Sequence, residues 1–291
     1  MNPVAVVAIA VAAGTIALAA SGILSSGRSA GFVAATLFLL TPLLWMQARS
    51  EPASLIVLPF ITGWLLAVSR AQSDGFAAWP AVAGACLGAA IYTSYASVVM
   101  MPLFLLITIG AAVHARALSA RRLGVMVAAF AVALIPFAVF LARHPDALHH
   151  TVTTFHLYDA DRFNLRQGLR EMASWIGLTA RSEVYYDYFN PAFLFLTGRV
   201  LLFPMAVLLP AGLYQILSCE DTVFARVALG GFLAAPFAAS LTAEAPTPRR
   251  ILFLTPFAAV VATYGVKWLL ARPFGTNSAE RQERSASSRH S

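Results

Sequence analysis

Apolar residues along this chain arrive in long blocks, and the polar residues between them are few and crowded into short stretches. A block of about 20 apolar residues is what an α-helix needs to cross a bilayer at 1.5 Å rise per residue. Such blocks fall at about 3–24, 30–47, 53–69, 77–92, 97–115, 123–142, 199–218, 223–242 and 251–270. The pattern predicts an all-α, polytopic membrane protein with about nine transmembrane helices. Thr93-Ser94-Tyr95-Ala96 alone separates the fourth and fifth blocks, whose joint length suits a tight helical hairpin better than one broken helix.

One connection, about 143–198, is long and too polar to lie in lipid. It carries four of the six histidines, His144, His149, His150 and His156, and a large share of the acidic residues. Within it Leu165, Leu169, Met172, Ala173 and Ile176 recur at helical spacing, which predicts an amphipathic helix lying along the membrane surface. Residues 272–291 are rich in Ser and Arg and predict a disordered tail, leaving 1–271 as one transmembrane domain.

Composition agrees: charged residues make up 11% of the chain, against about 25% in an average soluble domain. Cys86 and Cys219 stand alone, without CxxC spacing, which removes a zinc site or disulfide framework; both read as small core residues. The net charge of +7 sorts by side. With nine spans, Arg28, Arg70, Arg116, Arg121, Arg122, Arg226 and the tail arginines share one side. The short loops opposite hold only Arg49 and the Arg249-Arg250 pair. By the positive-inside rule the Arg-rich side is cytoplasmic, so the long loop faces outside the inner (plasma) membrane. The Arg49–Glu51, Thr93–Ala96 and Pro246–Arg250 turns join it there. The charge therefore marks topology and not nucleic-acid binding. Met1 then starts outside with no charged residue ahead of the first span, which leads us to expect spans upstream of this sequence; a different count of spans would equally remove the anomaly.

A charged group costs about 2.5–3.5 kcal/mol at the centre of a spanning helix, so those kept at its edge are candidates for function. The outer face collects Arg49 and Glu51, Tyr92 and Tyr95, Tyr186, Asp187 and Asn190, and Arg249 with Arg250. If the helices bundle, these turns can share one cavity at the lipid boundary. Guanidinium forks grip phosphate, carboxylates and amides bind hydroxyls, and aromatic rings stack on sugar faces, so the set suits a sugar joined to a lipid through phosphate. The plainer readings are arginines snorkelling to headgroups, tyrosines in an interfacial belt and an Asp187 that only positions its loop. Adjacent His149 and His150 point apart on a helix, and no metal-ligand spacing occurs. There is no P-loop, no GxGxxG opening a helix and no GxSxG.

Four segments, in order, resemble the C-type polyprenyl-phosphate-sugar-dependent membrane glycosyltransferases, the superfamily of the protein mannosyltransferases and the aminoarabinose transferases of lipid A. They are Thr41–Glu51 (TPLLWMQARSE), Gly84–Tyr95 (GACLGAAIYTSY) with Pro102, Tyr188–Gly198 (YFNPAFLFLTG) and Pro246–Pro256 (PTPRRILFLTP) with Gly265. The resemblance implies transfer of a sugar from a polyprenyl-phosphate carrier to an acceptor hydroxyl on the outer face. A carboxylate base takes the acceptor proton, and a cationic side chain or a divalent cation helps the leaving phosphate. It assigns the donor phosphate to Arg249 or Arg250, with Arg49 second, and sugar or acceptor to Glu51, Tyr92, Tyr95, Tyr186, Asp187 and Asn190. The base stays unassigned. Family members often follow the Pro-x-Phe-Leu-Phe segment with Gly-Asp, where this chain has Gly198-Arg199. Their catalytic acidic residue lies in a first outer loop that nothing here matches, a second reason to expect an upstream segment. Pro191 is expected to open the next span. The implied partners are a polyprenyl-phosphate-linked sugar and membrane lipid. A transporter or lipid flippase, or a non-catalytic assembly subunit, is the rival reading; a transporter predicts ionisable residues near mid-span, whereas these charges crowd the span ends.

Overall fold

The computed structural model describes residues 2–23, 28–73, 78–144, 167, 170, 174–242 and 244–271, and every regular element among them is helical. Helix α1 (Pro3–Ala20) is capped by Asn2, whose side chain accepts from the Val4 amide. Helices α2 (Arg28–Leu39) and α3 (Pro42–Ser50) form one apolar stretch bent by 48°. The bend has a chemical cause: Pro42 has no amide hydrogen to donate. The Thr41 hydroxyl donates to the Leu37 carbonyl at 2.8 Å and the Trp45 indole to that of Leu39 at 2.6 Å, closing carbonyls beside the break. A 3₁₀ turn (Pro52–Ile56) leads into α4 (Val57–Ser73). Helix α5 (Ala78–Ala90) and a 3₁₀ turn (Ile91–Thr93) reach Ser94, which caps α6 (Tyr95–His114). Helix α7 spans Ala120–Arg143. Helix α8 (Trp175–Asp187) precedes a π-helical turn (Ala192–Thr197), then α9 (Met205–Cys219), α10 (Val223–Ala234) and α11 (Phe237–Ser240). A last 3₁₀ turn (Pro248–Ile251) enters α12 (Leu254–Ala271).

Six of these stretches are long and apolar enough to cross a membrane, and the bent α2–α3 pair makes a seventh. The other two predicted runs give shorter apolar helices, Ala78–Thr93 and Met205–Cys219. The chain is a multi-pass membrane protein. Its described residues support six or seven full-length spans, where the sequence pattern counted nine.

Helix directions follow from close contacts. Thr15 bonds Thr62 at 2.6 Å and Ser69 donates to the Ala19 carbonyl, so α1 and α4 run the same way. Gly84 lies against the Met126 carbonyl and Gly88 against that of Phe130, so α5 and α7 are also parallel, with α6 returning between them. The expected hairpin at Thr93–Ala96 is therefore present. Helices α9 and α12 cross at Gly212 and Gly265, where a Cβ on Gly212 would stand 1.9 Å from the Val261 oxygen. Small residues permit such approach where lipid offers no hydrophobic drive for association. At the centre Trp64 stacks on Phe104 at 5.3 Å, with Phe257 edge-on to both.

Two expectations change. Pro191 does not open a span: Gly198 donates to the Phe193 carbonyl five residues back, making the π turn, and Arg199 follows with φ +47°. The next apolar helix waits until Met205, after Pro204. Cys219 is exposed, while Cys86 is partly buried. The amphipathic stretch 165–176 up to Ala173, apart from Gln167 and Arg170, lies outside the described residues, as do His149, His150, His156 and the 272–291 tail.

Candidate functional site

The alternating directions bring the Arg49, Thr93 and Arg249 turns to one end of the bundle, with α8 and the π turn. Helix α3, whose last turn carries Arg49, packs against the Pro248–Ile251 turn, which carries Arg249 and Arg250. The Pro52–Ile56 turn after Glu51 packs against Ile91–Thr93. Arg49, Glu51, Asp187 and Arg249 are exposed, and none forms an ion pair with another described residue.

Arg250 is differently placed. Its guanidinium donates to the Thr242 hydroxyl at 2.7 Å and pairs with the Glu244 carboxylate. It therefore braces its own turn, and Arg249 is the guanidinium left open there. Beside this pair lies Tyr188, fully buried, whose hydroxyl accepts from the Thr247 amide at 3.4 Å. Burial pushes the phenol's pKa up, against the opposing pull of the Thr247 amide and the Arg250 charge. Sequence reasoning missed Tyr188 as an anchor because four aromatic residues within Tyr185–Phe189 look alike until one is seen to face inward. It also passed over Gln47, which is buried with its Nε2 unpartnered, two residues before Arg49. The signal was an amide inside an apolar run.

Tyr92 has a structural role. Its hydroxyl donates to the Ala133 carbonyl at 2.7 Å and accepts from the Phe137 amide at 3.1 Å. These are the partners of one α7 ladder bond, opened beside Pro136, so Tyr92 bridges the break. Tyr95 begins α6 and is exposed. Both line an open groove of about 490 Å³ with Val98, Phe137 and Phe140. Arg49, Glu51, Asp187, Asn190, Arg249 and Arg250 do not line it. The single cavity expected from the sequence thus resolves into an aromatic groove and a separate charged surface where α3 meets the last 3₁₀ turn.

In the π-turn region Asn190 Oδ1 accepts from the Ala192 amide at 2.9 Å, one of the two bonds it can take. Tyr186 is exposed and edge-on to Tyr185. Among the described residues no three His, Cys, Asp or Glu side chains gather closely enough to hold a metal ion. No family model, curated protein or solved structure matches the chain.

Proposed function

We propose that this protein is a membrane glycosyltransferase of the C-type kind, taking a sugar from a polyprenyl-phosphate carrier. The observation that carries the reading is the packing of α3, which ends with Arg49, on the Pro248–Ile251 turn, which carries Arg249, at an edge of the apolar bundle. Unpaired guanidiniums on adjoining turns suit a phosphate monoester or diester, which accepts bidentate hydrogen bonds from each. Arg49 and Arg249 take the phosphate in this reading, and Arg250 positions Arg249 by fixing the turn. Glu51 lies just after Arg49 and is open to a sugar or acceptor hydroxyl. The 490 Å³ aromatic groove has the size of a small-molecule pocket and opens on the apolar α7, which suits a stretch of the carrier chain. This end faces outward across the plasma membrane, as the arginine distribution of the loops favours. An impermeant thiol reagent should then label Glu183→Cys in intact cells, and labelling only after lysis reverses the orientation.

The decisive experiment is binding of a polyprenyl phosphate to the full chain in lipid nanodiscs. Arg49→Ala and Arg249→Ala should each weaken binding about tenfold or more, roughly 1.4 kcal/mol. A polyprenol without phosphate should bind no better than the variants do. Unchanged binding in both variants, or equal binding of the phosphate-free alcohol, removes the phosphate site and with it this reading.

A further inference from the structure

Helix α8 lies outside the spanning helices, yet its contacts set it at a depth. Residues 223–240, helices α10 and α11 together, form one apolar stretch of membrane-crossing length. Arg181 Nε donates to the Leu241 carbonyl, just past the end of that stretch. One turn on, the Tyr185 hydroxyl donates to the Leu233 carbonyl at 2.7 Å, and Phe189 packs on Phe232 at 5.6 Å between ring centres. Leu233 lies seven residues before Ser240, about 10 Å further in at helical rise. Helix α8 therefore descends beside α10 as its residue numbers rise. The chain then turns through the π turn and reaches Met205, where α9 starts from the same end.

The exposed side of α8 carries an apolar flank and a neighbouring flank that mixes Ile176, 80% exposed, with Glu183 and Asp187. Trp175, Leu178, Thr179, Ser182 and Tyr186 fall on one flank at helical spacing, with Trp175 81% and Tyr186 68% exposed. Both hydroxyls on that flank are returned to the helix's own backbone, Thr179 to the Trp175 carbonyl at 2.9 Å and Ser182 to that of Leu178. The polar groups that the flank leaves open are the Trp175 indole N–H and the Tyr186 hydroxyl, at its two ends. Glu183 and Asp187, both exposed, lie together on the neighbouring flank, one turn apart. Beyond the helix Leu196 and Phe203 are also open, 62% and 69% exposed, while Tyr188, Leu194 and Val200 turn inward.

We propose that residues 175–204 form a re-entrant segment that enters and leaves the membrane at one face, with acyl chains of the bilayer covering the Trp175–Leu178–Ser182–Tyr186 flank. The flank continues the apolar surface of the span beside it, where Leu233 and Phe237 are likewise exposed. Backbone groups outside regular helix occur at membrane depth where protein buries them or water reaches them. Here the inward-facing Tyr188, Leu194 and Val200 supply the protein side, and the Glu183–Asp187 flank supplies the wet one. Tyr186, a sugar-binding candidate from sequence, then lies on the lipid-facing flank, with its ring among acyl chains and its hydroxyl free to snorkel toward the headgroups. The inference does not depend on glycosyl transfer.

The test is nitroxide accessibility in the full chain carrying Cys219→Ser, reconstituted in phosphatidylethanolamine–phosphatidylglycerol vesicles. Labels are placed singly at Leu178→Cys, Ser182→Cys, Tyr186→Cys, Glu183→Cys and Asp187→Cys. Oxygen, which concentrates in lipid, should dominate at 178, 182 and 186, and a water-soluble nickel chelate at 183 and 187. Nickel dominating at all five positions places α8 in water and overturns the proposal; shielding of 178, 182 and 186 from both reagents means protein covers the flank and overturns it too. An unlabelled check covers label-induced misfolding: lipids brominated along the acyl chain should quench the fluorescence lost in Trp175→Phe, and the absence of such quenching counts against the segment's entry into lipid.

Discussion

Where α9 turns into α10, charge is closed on itself: Glu220 takes both the Lys267 ammonium and the Gln215 amide, Asp221 takes Arg226, and Gln72 accepts from the Phe224 amide. At the other end Arg49, Glu51, Asp187 and Arg249 stand exposed with no ion pair among the described residues, and Arg250–Glu244 is the one charge pair described there. Both ends lie at the edge of an apolar bundle, where a charge can reach water and does not require a partner. A pair such as Glu220–Lys267 ties α9 to α12 and offers nothing to a ligand. Guanidiniums without partners hold little together and stay available. The contrast separates a turn that maintains the bundle, on a side where Arg28, Arg116 and Arg121 also stand exposed, from a surface suited to bind.

The comparison breaks hardest at Gly212. Gly212→Leu puts a side chain where the Val261 carbonyl already stands, forcing α9 from α12 and pulling Glu220 off Lys267. Overpacking of this kind costs about 1–3 kcal/mol or more, and we expect little monodisperse protein and a steep fall in thermal midpoint by circular dichroism. A near-native midpoint means that the crossing is not what holds the paired end. Next comes Glu220→Ala, which strands Lys267. With the carboxylate mostly buried and the lysine partly exposed, the loss should be ~2 kcal/mol, between values for exposed and buried pairs. A change near zero would show a solvent-screened bridge. Smallest is the effect on stability of Arg49→Ala and Arg249→Ala, within about 0.5 kcal/mol, as for surface sites away from core contacts. A fall of the midpoint as large as that of Glu220→Ala would make these arginines structural and erase the difference between the ends.

Much of this organisation is written in block length. Runs of apolar residues located every helix named above except α8, whose mixed surface carries no long apolar block, and the Ser94 hairpin was legible because so few polar residues lie between one long run and the next. Arg49 and Arg249 were visible as cations at block edges. Which arginine of a neighbouring pair is free was not, because the answer rests on Glu244 and Thr242, several residues away and brought round by the turn. Tyr92 looked like a ligand-binding hydroxyl for the same reason: its partner is a backbone break 41 residues on. The π turn after Pro191 escaped because a proline opening an apolar run fits a span equally well. Only the Gly198-to-Phe193 bond and the Arg199 conformation distinguish the two.

Helix α9, at 15 residues, gives the bilayer itself a say in how this molecule behaves. It is about 22 Å long against a hydrocarbon layer of about 30 Å, while its parallel neighbour α12 has 18 residues. The two cannot slide to share the deficit, because Gly212 and Gly265 lock their crossing point. We expect lipid to thin along the Val207, Tyr214 and Leu217 side wherever the apolar residues before Met205 do not make up the length, at a fraction of a kcal/mol per ångström of mismatch. Short-chain lipids relieve that mismatch and thick, ordered bilayers deepen it. The protein is thereby sensitive to membrane thickness on the side where α9 meets lipid, and its preferred surroundings are set by a helix and not by a headgroup.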